Sequence, residues 1–296
     1  MESLCCYLRR KAGMARSDQL VLVIGATGTQ GGAVAHKLLA DGFRVRAFVR
    51  DPSKPAAVTL EDHGAEFALG DLDDIASLDA AMLGAYGVFS VQSFRPDGVI
   101  AEERRGIAVA EAAARAGVEH FTYSSVGGAD KGTGIPHFES KFHIEQRIHE
   151  LELPATIWRP VYFMENLLWQ RDAILDGHIA PPLDPDVPLQ FVAVADIAAF
   201  VACGFRNPGS WLGQTTEIAG DQLAFTEIAE VLGRVLGKAV AVDPLVPPKE
   251  TERARMMEWF TVAGYHADIA RLRRTLPSLH SLEMWAREEF SARNRR

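Results

Sequence analysis

The run LVLVIGATGTQGGAVAHKLL, residues 20–39, constrains the fold of this chain more than any other stretch. An unbroken apolar segment leads into Gly25-x-x-Gly28-x-x-Gly31, and residues at helical spacing follow at once. A buried strand, a tight turn and a helix, in that order, are what a dinucleotide pyrophosphate requires. The first glycine permits the turn. The second lets the backbone approach the phosphates, and the third lets the helix pack closely on the strand. The amides and positive end of the helix then face the anion. The expected contacts are Gly25, Ala26, Thr27, Gly28, Thr29, Gln30 and Gly31. The alternative is a glycine turn that holds nothing.

The periodicity that follows extends this start into a fold. FRVRAFVR (43–50), AEFALGD (65–71), YGVFSVQS (86–93) and VEHFTYSSVGG (118–128) read as strands. GGAVAHKLLADG (31–42), IASLDAAMLGA (75–85) and EERRGIAVAEAAARAG (102–117) read as helices, two of them closed by a glycine. Strand and helix alternate, and the strands include buried apolar runs, with FRVRAFVR alternating, which predicts a parallel sheet covered on both faces. The fold class is α/β, a Rossmann doubly wound parallel sheet with a smaller, partly interleaved C-terminal α/β region.

Beyond about residue 153 the pattern loosens. ATIWRPVYF (155–163) predicts a strand running into a loop, and 180–194 reads as Pro-rich and irregular. Helices are predicted near 195–206 and 225–237, and a helical region near 250–292. The expected organisation has three parts. Residues 1–17 form a flexible N-terminal extension, with Met14 a more natural start. Residues 18–155 form the nucleotide-binding domain. Residues 156–296 form a substrate-side or partner-side region whose strands return to the main sheet.

Charge narrows the partners. With 31 basic and 39 acidic residues the net charge is −8. That argues against binding nucleic acid or an anionic membrane, because phosphate contacts need a basic face. RLRR (271–274) reads as a solvated helix face. The longest apolar run, FVAVADIAAFVACGF (191–205), contains Asp196 and is too short to span a bilayer. Cys5, Cys6 and Cys203 make neither a disulfide framework nor a zinc site, and His143 and His149 lack ligand spacing. The expectation is a cytoplasmic protein without a metal, and a homodimer is left open.

The end of the second strand separates the two nicotinamide cofactors. NAD sites usually carry an acidic residue there to accept from the ribose hydroxyls. This chain has Arg50, Asp51, Pro52 and then Lys54. A guanidinium can stack on adenine and bind a 2′-phosphate, and Lys54 adds charge, so NADP is favoured over NAD. Asp51 keeps NAD open, and an exposed strand-end charge is the plain alternative for Arg50. Asp71 and Leu72 end the third strand, where Asp71 either reaches the adenine edge or caps the next helix. Gln92, Ser93 and Phe94 end the fourth, at the carboxyl edge where such ligands lie.

Taken together, GATGTQGG, Arg50 in VRDPSK, the Gly70-Asp71 pair, the HFESK pentad at 137–141 and RPVYFMENL (159–167) resemble the NmrA-like group of atypical short-chain dehydrogenases/reductases. The NmrA/HSCARG branch is the nearest. The resemblance spans most of residues 19–200. It implies a Rossmann domain with an extra C-terminal region and NADP binding. It implies phosphate contacts from Gly25 to Gly31 and 2′-phosphate contacts at Arg50 and Lys54. It further implies adenine contacts at Asp71 and Leu72, and nicotinamide-side contacts at Gln92, Ser93, Phe94, Lys141, Tyr162, Phe163 and Asn166.

A reductase of the parent superfamily uses Tyr-x-x-x-Lys, the phenol as acid and the lysine holding the ribose. Here the pentad is His137-Phe138-Glu139-Ser140-Lys141, so the lysine is present and the tyrosine is not. No catalytic residue is assigned; the candidates are His137, Lys141 and Tyr162, with Ser124 or Ser125 where the superfamily serine would stand. His137 is an inert ring beside the nicotinamide, a substitute acid, or a surface histidine. Lys141 is a ribose clamp or a helix lysine paired with Glu145. Two functions follow. One is an NADP(H)-responsive redox-sensing regulator acting through a protein partner. The other is an NAD(P)H-dependent oxidoreductase of a quinone or conjugated carbonyl, with Phe94, Tyr162, Phe163 and Trp169 as candidate pocket residues.

Overall fold

A computed structural model describes residues 16–290. Residues 1–15, with Cys5, Cys6 and Met14 and most of the expected extension, lie outside the described residues. The strands are β1 (Leu20–Val23), β2 (Arg44–Val49), β3 (Glu66–Leu69), β4 (Gly87–Ser90), β5 (His120–Ser124), β6 (Ala155–Pro160), β7 (Tyr162–Phe163), β8 (His178–Ile179), β9 (Leu189–Val192), β10 (Thr215–Ile218), β11 (Asp221–Leu223) and β12 (Ala241–Val242). The helices are α1 (Thr29–Ala40), α2 (Pro55–Asp62), α3 (Ile75–Met82), α4 (Val99–Ala116), α5 (Pro136–Glu150), α6 (Arg171–Asp176), α7 (Val194–Arg206), α8 (Pro208–Trp211), α9 (Phe225–Leu236), α10 (Thr251–Val262), α11 (Ile269–Thr275) and α12 (Leu282–Glu289).

Seven strands make the main sheet, in the order β10-β6-β5-β4-β1-β2-β3. The pairs β1–β2, β1–β4, β2–β3, β4–β5 and β6–β10 are parallel. Order reverses at β1, which pairs with β2 on one side and β4 on the other, and this is the switch point of a doubly wound sheet. Every residue of β1, β4, β5 and β6 is buried, so both faces of these central strands are covered. The edge strand β3 is half-exposed. Smaller sheets join β11-β9-β7 and β12-β8.

The structure corrects the sequence reading at several elements. Helix α2 lies where no element was predicted; its signals were Pro55 at the first turn and Gly64 beyond the end. The stretch read as irregular contains β9. Helix α4 starts at Val99, three residues before the predicted 102, and Glu102 is fully buried. Asp71 does not cap α3. Asp74 does, accepting from the Ala76 N–H at 3.1 Å.

The chain forms two compact, discontinuous units. One gathers the chain up to Tyr123 with Ile144–Thr156 and Val201–Gln214; the other gathers Ser124–His143, Ile157–Phe200 and the chain from Thr215 onward. In the first, Phe205 fills the space beside Gly87, where a Cβ would stand 2.6 Å from its ring, and it packs on Phe43 and His120. In the second, Phe138, Trp259, Phe260 and Tyr265 form a ring cluster with centroids 5.2–5.6 Å apart.

Candidate functional site

The first unit carries the glycine loop. Gly25 sits at φ +72°, a conformation that favours glycine. A Cβ on Gly31 would lie 2.1 Å from the Gly25 carbonyl oxygen, so α1 approaches the turn more closely than any side chain permits. Gly25, Thr27, Gly28 and Thr29 are exposed, Gln30 is half-buried and Ala26 is buried. Gly28 is the N-cap of α1 and no side chain caps it. An exposed turn ending on a helix start whose N-cap is a glycine suits a pyrophosphate.

Arg50 and Lys54 are both exposed just past β2, and Lys54 is the N-cap of α2. Asp51 is tied into its own turn. One of its oxygens accepts from the Ser53 N–H (2.9 Å) and hydroxyl (2.6 Å), and these bonds lower its pKa. Asp71, half-buried, accepts from the Asp73 N–H at 2.9 Å, and Leu72 is half-buried beside it. Gln92 is buried and donates to the Ser90 hydroxyl at 2.9 Å. Ser93 is exposed, and Arg95 lies over the Phe94 ring.

Sequence reasoning missed what braces these loops. Arg105, on α4, forms a two-pronged pair with Asp73 after β3 and binds Asp97 after β4 at 2.6 Å. Hydrogen bonds from Arg105 and then Arg104 hold the Asp73 carboxyl down at about 2. No spacing in the sequence links positions 73, 97 and 105.

The second unit carries the pentad, at the start of α5. His137 Nδ1 lies 2.8 Å from Glu252 Oε1 on α10, and its side chain is only 15% exposed. Phe138 is buried and meets Trp259 edge-on. Glu139 accepts from the Thr133 hydroxyl and the Gly134 N–H. Ser140 is buried and Lys141 half-buried. Farther along α5, Ile148 is buried, whereas Phe142 is only half-buried.

Tyr162 and Asn166, both predicted contacts, bond each other. Burial raises the Tyr162 pKa, against Arg253 and the Asn166 bond, which lower it. Phe163 is half-buried. Trp169, read as a pocket candidate, is 80% exposed. Ser124 and Ser125 are both buried. A cavity of about 690 Å³ opens within this unit, lined by Asp130, Lys131, Arg159, Glu217, Trp259 and His266 among others. Arg159 pairs with Asp130 at 2.9 Å, and Glu217 accepts from the Gly128 N–H at 2.7 Å. None of the predicted site residues lines it. Among the described residues no His, Cys, Asp or Glu cluster could hold a metal, and no helix is long and apolar enough to cross a membrane.

The sequence profile of the NmrA-like family matches residues 17–270. An NmrA-like family domain-containing oxidoreductase of Aspergillus hancockii is 30% identical over 260 residues, 78% of this chain and 77% of that one. The NAD(P)H azoreductase of Xenophilus azovorans is 32% identical over 223 residues, 75% of each. Among solved structures, the negative transcriptional regulator NmrA superposes with a TM-score of 0.78 in complex with NADP and 0.79 in complex with NAD. It is 22% identical, over 93% of this chain and 96% of that one, which establishes the fold.

Proposed function

Since the chain belongs to the NmrA-like family, we propose that it binds NADP(H) through the glycine loop of its first unit and acts as an NADPH-dependent reductase. The observation that carries the cofactor reading is the end of β2. Two exposed cations, Arg50 and Lys54, stand there, while the one carboxylate beside them, Asp51, is occupied by Ser53. A 2′-phosphate would find its fork of donors in Arg50. Gly25, Ala26, Thr27, Gly28, Thr29, Gln30 and Gly31 would hold the pyrophosphate. Asp71 and Leu72 would meet the adenine, and Gln92, Ser93 and Phe94 the nicotinamide half. Lys141, Tyr162, Phe163 and Asn166 are proposed contacts on the resemblance alone.

The relatives near 30% identity support oxidoreduction, since one bears the name oxidoreductase and the other azoreductase. The nucleotide, when bound, supplies the hydride. The acceptor class in view is a quinone or another conjugated acceptor, which asks little acid catalysis of the protein. A second reading, a redox-sensing regulator with a protein partner, rests on the absent tyrosine at position 137. Titration with each nucleotide and an NADPH oxidation assay with quinones, enones and azo dyes separate the two. Arg50→Asp is expected to weaken NADP binding about 10- to 100-fold, the value of one or two lost charge-assisted bonds, and to leave NAD nearly unchanged. Equal losses for both nucleotides would sink the 2′-phosphate assignment.

A further inference from the structure

We infer that the cavity of the second unit is a binding site for a small organic carboxylate, one anionic group on a flat apolar body. The cavity holds about 690 Å³, the size of a small-molecule site, and shares no residue with the glycine loop. It lies wholly in the second unit and needs nothing of the nucleotide reading.

The floor comes from two neighbouring strands. Glu217 on β10 stands in register with Arg159 on β6, and Thr215 precedes Glu217 by two residues, so the three side chains share one face of the sheet. The loop after β5, from Gly128 to Thr133, makes one wall. The end of α10 and the residues after it make the other. Trp259 gives this second wall its apolar surface. A Cβ on Gly128 would stand 2.6 Å from the indole, so the loop reaches the ring only because position 128 is glycine. Phe138, Phe260 and Tyr265 meet the same ring edge-on, with centroids 5.3–5.6 Å away. The indole is therefore clamped in advance, and a ligand laid against it has little to order.

The hydrogen bonds set the charge of the occupant. Both carboxylates of the lining already accept. Asp130 takes the Arg159 guanidinium at 2.9 Å. Glu217 takes the Gly128 N–H on one oxygen at 2.7 Å and the His266 N–H on the other at 3.3 Å. Donors remain. Among the described residues, the Trp259 indole N–H, the Thr215 hydroxyl and the His266 ring meet no acceptor. The Lys131 ammonium lies 3.9 Å from Asp130, beyond hydrogen-bond range. An indole N–H and an ammonium can only donate, so what they lack is an acceptor. A carboxylate supplies two acceptor oxygens and a charge opposite to that of Lys131. Lys131, Thr215 and His266 are exposed, so the anion binds without full loss of water while its body lies on Trp259. A cation would meet the like charges of Lys131 and Arg159.

The test uses the full chain without nucleotide. Naphthoate is titrated into isotope-labelled protein while NMR follows the Trp259 indole N–H and the His266 ring. Loss of one signal in Trp259→Phe and of the other in His266→Gln assigns them. Both signals are expected to move together and saturate. Lys131→Glu is expected to weaken binding about 10-fold and His266→Gln about 3-fold, the scale of one partly exposed charge-assisted bond each. Both positions are exposed, so neither substitution should disturb the fold.

Three further probes can overturn the assignment. Naphthamide binding as tightly as naphthoate would remove the need for an anion. Tighter binding of naphthylmethylammonium would make this a cation site. Acetate moving both signals as strongly as naphthoate at equal concentration would show that the apolar wall plays no part. Naphthoate affinity unchanged by both Lys131→Glu and His266→Gln would place the ligand elsewhere, and no shift of either signal up to the solubility of naphthoate would end the proposal. None of these outcomes bears on the glycine loop, which Arg50→Asp tests separately.

Discussion

At the scale of single residues, the loop after β1 is defined by what it leaves out. Position 31 has no room for one carbon atom, because the Gly25 carbonyl occupies the space. Gly31→Ala must push α1 from the turn or distort the turn itself. The expected cost is about 1–3 kcal/mol in urea unfolding, the usual range for overpacking, together with loss of nucleotide binding. Gly42→Ala differs: its Cβ would meet nothing within 4 Å, but φ is +86°, so its cost would come from backbone strain alone and binding should survive. Equal losses of binding in both variants would undo the close-approach argument. Glycine spacing made this site legible from sequence, since the three roles are fixed by local geometry. The partner of His137 was not legible. Glu252 is brought in by tertiary packing, and no local pattern links two positions that far apart.

Among the elements, the clearest strands and helices were those with strong periodicity and a glycine stop. β1 to β5 and their intervening helices mostly fell where the pattern put them. α2 escaped because its eight residues carry only two buried positions, Ala57 and Leu60, too few to show a period. β9 escaped because four buried residues after a proline-rich stretch look the same as loop until a partner is known; its partners are β11 and β7. Helix α10 illustrates the tertiary override most directly. It has little amphipathic pattern, yet Phe260 is 3% exposed within the aromatic cluster of Trp259, Tyr265 and Tyr162. Phe260→Ala is expected to cost about 3–5 kcal/mol, by loss of burial and the cavity left behind. Chemical denaturation checks this; a change below 1 kcal/mol would mean that α10 contributes little to the second unit.

For the molecule as a whole, two histidines set opposite limits on the pH range of stability. His120 is buried, and desolvation pushes its pKa down from 6.5 to about 4. Its Nε2 meets the Thr156 hydroxyl at 2.8 Å, and that hydroxyl donates to the Trp211 carbonyl, so Nε2 carries the hydrogen. The unfolded chain therefore binds this proton more readily than the folded one. Stability is full above about 6.5 and falls as pH drops toward 4, by about 3 kcal/mol in all. His280 has the reverse sign. Its bond to Asp196, at 2.8 Å and joined by Glu288, raises its pKa from 6.5 to about 9. Its contribution is full below about 6.5 and is lost as pH rises through 9. Partial exposure limits it to on the order of 1–2 kcal/mol. Unfolding midpoints across pH 4–10 should trace a dome. His120→Gln should flatten its acid side and His280→Gln its alkaline side. A dome indifferent to both substitutions would show that other groups set the limits.

The packing of Phe205 carries a further consequence, for the order in which the chain is made. Strand β5 is complete at Ser124, but the ring that sits against Gly87 and His120 is about 80 residues farther on. At the usual pace of translation the ribosome needs roughly 4 to 16 seconds to cover that distance. During that interval Gly87 and His120 lack the ring that packs against them in the folded unit. A growing polypeptide of this sequence should therefore depend on chaperones between the synthesis of β5 and the end of α7.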